Sequence, residues 1–380
     1  MWQLLFRALK RCRLNQIIYR TCKALLYAPR NKQPVAPYSA ESVRQAHRIL
    51  ADFHADVHSS ALTHNRLSPQ VDLQIIVPVY QVEAYIEACV ESVLRQQTRY
   101  TYRVTLVNDG SKDRSRDLLR RYESHPAVEI IDQENRGFSG ARNRALENIT
   151  GRYVTFLDSD DRFPEGAIEA LMQAAEQYEA DVVQGSYRTL NAAGKVGAEY
   201  ILPQSLNAYE DKTLLGYTWG KLFRAELFAR VHFPEHYWFE DSICSYLLFP
   251  QAKTCVSISR MVYEYRIHPA GITRRSRGKN KTLDTLYITE SLLQDACQMG
   301  YTRNDTFYEQ QFLEFRTNQS RLQSLHNPAV DQAAFRIQAH LLEHYFPKKK
   351  VRTTDYVVQE MQEALLQHRY TQYKLIGYLL

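Results

Sequence analysis

The chain has 380 residues, 44% of them apolar and 24% charged, with a net charge of +6. That length suits one large domain with a smaller appendage, and the composition excludes a fibrous or low-complexity chain. Six cysteines lie scattered with no Cys-x-x-Cys, which excludes a disulfide framework, a zinc ribbon and a dithiol redox motif, and fits a reducing cytoplasm. No apolar run reaches the ~20 residues that span a bilayer. Charges interrupt the first 30 residues too often for a signal peptide.

Positive charge is concentrated at the chain ends. Met1 to Ala40 contains no Asp or Glu but has Arg7, Lys10, Arg11, Arg13, Arg20, Lys23, Arg30 and Lys32. Residues 2–27 read as a helix whose Trp2, Leu5, Phe6, Leu9, Ile17, Leu25 and Leu26 share an apolar face. Such a cationic helix either anchors at a membrane interface or docks on the protein's own body with its basic face in water. Pro29, Pro34 and Pro37 make a linker, and a second helix is expected from Ala40 to about Leu62 with Ser39 as its N-cap. His54 and His58, four apart there, are more simply solvated than metal-binding.

From Asp72 the pattern changes. Strands are expected at 73–79, 104–107, 128–131 and 153–157, alternating with helices at 83–97, 113–122, 137–148 and 164–178. That alternation implies βαβ units and a mostly parallel sheet. The strand Tyr153–Leu157 runs into Asp158-Ser159-Asp160-Asp161. Unpaired carboxylates are too costly to bury in a strand, so they belong where it leaves the sheet, which in open α/β sheets is where ligands bind. Asp158 and Asp160 make a hard oxygen site suited to Mg²⁺ or Mn²⁺, although the same residues also make a good turn. The strands ending at Tyr80 and Asp109 reach the same edge, which favours a site. Asp109 can only accept hydrogen bonds and so suits the N–H edge of a uracil or thymine ring. Gly137, Gly140 and Ala141 at the next helix start either admit an anionic ligand to the helix N-terminus or merely allow close helix packing. Together these features point to a nucleoside diphosphate. From about Lys279 the chain reads as helices at 281–299, 304–326, 329–346 and 354–367, then a short apolar tail from Tyr370.

Four segments, Ile76-Val-Pro-Val-Tyr80, Val107-Asn-Asp-Gly-Ser111, Asn135-Arg-Gly137 through Ala141-Arg-Asn143, and Phe156-Leu-Asp-Ser-Asp-Asp161, resemble glycosyltransferase family 2 in order and spacing. Trp219-Gly-Lys-Leu222, Phe239-Glu-Asp241 and Tyr265-Arg-Ile-His268 extend the resemblance to about residue 275. Two departures stand out: Asn108 replaces the commoner first Asp, and Gly271-Ile-Thr273 replaces the commoner Ser-Ile-Thr. The resemblance implies a GT-A fold, a mixed and mostly parallel sheet with flanking helices, over residues 72–278. N-terminal basic helices and a linker (1–71) would precede it and a C-terminal helical bundle (279–380) would follow.

It also implies an inverting, metal-dependent transferase of the bacterial surface-polysaccharide type. Such an enzyme takes a hexosyl or N-acetylhexosaminyl group from a nucleotide sugar, with UDP the expected nucleotide, to a glycan or lipid-linked acceptor. Pro78, Tyr80, Glu83, Asp109, Arg136 and Asp158 would then hold the nucleotide, and Lys221 the diphosphate. Asp160 and His268 would hold Mn²⁺ or Mg²⁺, His268 alternatively giving only a hydrogen bond near the phosphates. Asp241 would be the base, unless it merely caps the helix it is expected to open through Phe249. Glu240 and Trp238 would meet the acceptor, Trp238 alternatively serving the core. Arg274, Arg275, Arg277, Lys279 and Lys281 form a basic run that is either a lid or a solvated loop. Residues 1–30 and the C-terminal tail would contact the cytoplasmic face of a membrane. The competing reading is a non-catalytic nucleotide-sugar-binding subunit. Nucleic-acid binding is disfavoured, because the basic residues alternate with apolar ones at the ends and no base-reading motif appears.

Overall fold

The computed structural model describes residues 14–26, 36–268, 276–301, 305–347 and 355–379. The segment before Leu14, most of the proline linker, the Gly271–Thr273 loop with Arg274 and Arg275, and the basic stretch 348–352 lie outside the described residues. The chain divides into two compact units. One gathers the described residues of 57–275 and 294–301, the other those of 1–56, 276–293 and 302–380.

The first unit is built on a sheet. Its strands are β1 (Arg66–Val79), β2 (Tyr102–Asp109), β3 (Val128–Gln133), β4 (Asn148–Phe156), β5 (Val182–Leu190), β6 (Val196–Tyr200), β7 (Lys221–Arg224) and β8 (Cys255–Arg266). Their order is β3-β2-β1-β4-β7-β5-β6, with β8 paired to β5. The β1–β2, β2–β3, β1–β4 and β5–β8 pairs are parallel, whereas β7 runs antiparallel to both β4 and β5. Leu73 to Val77 in β1 is buried throughout, as expected for a central parallel strand covered on both faces. On one face Ile75, Val77 and Leu106 pack with Ile86, Val90 and Val93 of the following helix α3 (Ile86–Leu94) and with Ile168 and Leu171 of α6 (Ala167–Gln177). A second apolar group forms around Phe156, whose ring meets Phe223, Phe228 and Phe233 edge-on. Between these helices come α4 (Ser115–Leu119) and α5 (Gly137–Leu146).

The second unit is helical. It contains α1 (Leu14–Leu26), α2 (Ala40–Phe53), the first turns of α7 (Asp284–Gln298), α8 (Asp305–Leu322), α9 (Pro328–Tyr345), α10 (Tyr356–Leu366) and α11 (Tyr370–Leu379). Ser39 caps α2 by accepting from the Ser42 amide, 3.2 Å. The helix stops at Phe53, well short of the expected Leu62, because His54 turns extended and its ring reaches Asp284 at 3.0 Å. That pairing also accounts for His54 without a metal.

Candidate active site

The three acids expected at the end of β4, Asp158, Asp160 and Asp161, stand where that strand leaves the sheet, but they do different work. Asp161 is buried and structural. Its carboxylate accepts from the Tyr263 hydroxyl at 2.8 Å and from the Arg266 amide at 2.6 Å. Arg266 Nε also donates to the Asp160 carbonyl at 2.6 Å. The loop after β4 is thereby tied to the end of β8, the strand that leads to His268. Asp160 and Asp158 remain partly open. His268 Nε2 lies 3.0 Å from Asp160 Oδ2, and the imidazole rests edge-on against Tyr85. Burial, then the neighbouring Asp158 charge, push the Asp160 carboxyl above the ordinary carboxylate range.

The ends of β1 and β2 supply the next group. Asp109 and Gln133 are register partners on β2 and β3, and Gln133 Nε2 donates to Asp109 Oδ1 at 2.7 Å. The Arg136 amide, at the start of α5, donates to the same oxygen at 2.8 Å. One carboxylate oxygen is thus fixed by protein, which aims the buried Asp109. Tyr80 stands exposed at the strand end and Pro78 is half-buried just before it. Glu83 is exposed, and its carboxylate accepts from the Arg114 amide at 2.9 Å. Arg136 extends its guanidinium to Glu235 at 2.7 Å. Gly137 has φ +74° and nothing within 4 Å of where a Cβ would stand, so its backbone is open to a ligand. Gly140 serves a different purpose: a Cβ there would collide with the Arg136 side chain.

The acidic pair Glu240-Asp241 comes from the other half of the chain. Phe239 sits in the left-handed region at φ 67°, and Glu240–Ser242 is a single 3₁₀ turn followed by a π-helical turn, Cys244–Leu248. Asp241 therefore caps no helix of its own. Its Oδ1 accepts from Thr218 Oγ1 at 2.8 Å and from the Thr218 amide at 3.3 Å. Glu240 is buried and takes a short ion pair from Arg142 Nη1, while Arg142 Nη2 donates to Asp158 Oδ1 at 2.9 Å. One buried guanidinium on α5 thus joins the strand-end acids to the acidic pair. Burial raises the Glu240 and Asp241 carboxyls, and the Arg142 charge opposes it. Trp238 is half-buried beside Phe239.

Residues 74–228 match the family model described as glycosyl transferase family 2. The chain carries a glycosyl transferase family 2 domain. It is 32% identical over 219 residues to the glycosyltransferase GlyA of Streptococcus pneumoniae, covering 53% of this chain and 31% of that protein. Likeness to the uncharacterized glycosyltransferase EpsJ of Bacillus subtilis is 33% over 53% of this chain and 62% of that one. The minor teichoic acid biosynthesis protein GgaB of Bacillus subtilis is 26% identical over 57% of this chain and 25% of its own length. The chain therefore spans from under a third to just under two thirds of the first curated relatives it matches. Among solved structures, S. aureus TarS 1-349 in complex with UDP-GlcNAc superimposes with a TM-score of 0.59 at 16% identity, covering 81% of this chain and 90% of that one. That likeness is one of fold, and the sheet described above is a GT-A sheet.

Family 2 glycosyltransferases commonly use a divalent cation, and Asp160 with His268 is the pair of residues here that could hold one. His268 Nε2 is buried and has no hydrogen-bond partner among the described residues, although Asp160 Oδ2 is only 3.0 Å away. Adjacent ligands of an octahedral ion at ~2.1 Å stand about 3 Å apart. An imidazole nitrogen and a carboxylate oxygen suit Mn²⁺, and Mg²⁺ less well. Among the described residues no group of three or more His, Cys, Asp or Glu gathers around a common point. The pair fits a cation that takes its other ligands from substrate phosphates and water.

The structure corrects two expectations from the sequence, at Lys221 and at Asp241. Lys221 is fully buried in β7, where its Nζ donates to the Tyr217 carbonyl at 2.7 Å and lies over the Tyr217 ring. Burial lowers its pKa to about 8. Its ammonium is committed to the protein interior and not to a diphosphate. Asp241, expected to begin a helix, instead bonds Thr218. Arg142 lies in the Ala141-Arg-Asn143 segment that carries the resemblance, yet the sequence alone gives it no role. The missing signal is tertiary: its two acidic partners lie 16 and 98 residues away.

Proposed function

We propose that the chain is an inverting glycosyltransferase. It moves a sugar from a uridine diphosphate donor to a hydroxyl of a glycan or lipid-linked acceptor in bacterial cell-surface polysaccharide synthesis. The observation that carries this reading is the single buried Arg142 linking Asp158, on the donor side, to Glu240, whose neighbour Asp241 offers a carboxylate. A donor-side acid and an acceptor-side base are thereby held in one charge network. The family 2 domain and the names of its relatives agree with transfer and with surface polymers.

In the reaction, Asp109 accepts the uracil N–H, with its free oxygen aimed by Gln133 and the Arg136 amide. Tyr80 and Pro78 flank the base, and Arg136 with the open Gly137 backbone lies near the ribose. Asp160 and His268 would hold a Mn²⁺ or Mg²⁺ ion, which supplies positive charge to the departing diphosphate. Asp241 takes the proton of the acceptor hydroxyl. The freed oxygen forms a bond to the anomeric carbon from the side opposite the diphosphate, and the carbon–oxygen bond to the diphosphate breaks with its electron pair. Burial of Asp241 strengthens it as a base by raising its pKa. Glu240, bound to Arg142, fixes the turn that presents Asp241, and the half-buried Trp238 offers a face to an acceptor sugar.

The decisive experiment is a screen of sugar nucleotides for hydrolysis and thermal stabilisation, with and without Mn²⁺. UDP-sugars should stabilise and turn over in preference to GDP- and CDP-sugars. Stabilisation by GDP-sugars alone would overturn the base assignment. Binding without any turnover, with acceptor present, would favour a non-catalytic nucleotide-sugar-binding subunit.

A further inference from the structure

Helix α1 is held along one side only. Asn15 and Tyr19 are buried there. Asn15 Nδ2 donates to the Leu379 carbonyl at 2.7 Å, the Tyr19 hydroxyl to Glu360 Oε2 at 2.6 Å, and Lys23 Nζ to the same carboxylate at 2.7 Å. These bonds fasten α1 to α10 and α11 within the helical unit. At helical spacing, Leu14, Ile17, Ile18, Thr21 and Leu25 fall together on the opposite side. The four aliphatic side chains among them are 44%, 60%, 37% and 80% exposed. A helix that merely covered its own unit would turn polar residues outward, since each such aliphatic costs free energy in water. A row of exposed aliphatics on an otherwise docked helix therefore marks an interaction surface. Tyr378, on the helix that receives Asn15, is half exposed and adds an aromatic ring.

Charge selects the occupant. The sequence from Met1 to Ala40 carries eight Lys and Arg and no acid. Arg20, at the border of the stripe, is exposed, with its guanidinium 5.0 Å from the Tyr356 ring centre. A second copy of the chain would bring the same acid-free segment and repel it. An anionic bilayer matches both features, offering acyl carbon to the aliphatics and phosphate to the cations. No described helix is long and apolar enough to cross a membrane, so the contact lies in the plane of the surface. We propose that α1 is an in-plane anchor for anionic membranes, inserting Leu14, Ile17, Ile18 and Leu25. This holds whether or not the transferase reading is correct, and its test uses no acceptor.

The full chain is sedimented with sucrose-loaded vesicles of phosphatidylglycerol and phosphatidylcholine, or of phosphatidylcholine alone. The intact protein should prefer the anionic vesicles, and Ile17→Asp with Leu25→Asp should weaken that binding by roughly tenfold or more. The double variant should keep the same melting temperature, because both side chains already face water. Undiminished vesicle binding by the variant overturns the anchor. So does a melting temperature lowered by several degrees, which would mean the stripe is packed within the protein. Absence of vesicle binding by the intact chain, with light scattering showing an oligomer that the variant abolishes, overturns it in favour of a surface between copies.

Discussion

His268 Nε2 and Asp160 Oδ2 stand 3.0 Å apart with no hydrogen bond joining them. An imidazole nitrogen and a carboxylate oxygen at that spacing also match two neighbouring ligands of one octahedral cation. Mn²⁺ should therefore raise the melting temperature in the presence of UDP, and His268→Ala and Asp160→Ala should each abolish that metal-dependent increment while leaving the metal-free stability within about 1 kcal/mol of the parent. Differential scanning fluorimetry over a Mn²⁺ titration checks this. An unchanged increment in both variants refutes the pair as a metal site.

Asp241→Asn keeps the shape and both Thr218 contacts but removes the basic oxygen. Transfer should fall by about 10²–10⁴-fold, the usual worth of a positioned base. UDP affinity by calorimetry should be unchanged. Substantial residual turnover would move the base elsewhere.

Arg142 is buried and pairs with two carboxylates, the buried Glu240 and the partly open Asp158. Replacing it with Met should destabilise the protein by about 3–5 kcal/mol, the cost of leaving buried charge unpaired. Adding Glu240→Gln should recover part of that loss. Urea unfolding of the single and double variants measures it, and the absence of any recovery would show that Arg142 acts through packing alone.

Lys221 gives a pH signature. Its folded pKa, lowered by burial to about 8, lies below the ordinary lysine value, so between the two the unfolded chain binds the extra proton. Stability should therefore rise as pH goes from about 8 to 9.5, by on the order of 2 kcal/mol. Lys221→Met should flatten that rise. Equal slopes in both proteins, from chemical unfolding at several pH values, would contradict a buried ammonium.

Much of the parallel half of the fold is legible in the sequence. The β1–β4 runs, the Asp109 turn and the three acids after β4 declare themselves through local composition, and the C-terminal helices fall within a few residues of their expected bounds. Strands extend further than their apolar runs: β1 reaches back to Arg66 because Asn148 and Ile149 of β4 pair with it there. The antiparallel half is silent. β7 has only four residues, and β5 carries Gln184-Gly185-Ser186 at its centre. Gly185 is needed because a Cβ would collide with Val262 on β8, a demand no neighbouring residue in sequence reveals. The same holds for the site. Acid clusters show in composition, whereas Lys221's burial and Arg142's partners depend on residues brought from far along the chain.

Asp161 has a role beyond its own turn. Its bonds to Tyr263 and the Arg266 amide close a circuit between residues more than 100 positions apart, so the distance from Asp160 to His268 is set by the sheet and not by the chain between them. The intervening segment, from Arg162 through β6 and the Trp238 turn, can lengthen, shorten or exchange its loops while that spacing stays constant. On the transferase reading proposed above, such an arrangement separates the residues beside the leaving group from the loops beside the sugars, and lets the loops diversify around an unchanging centre.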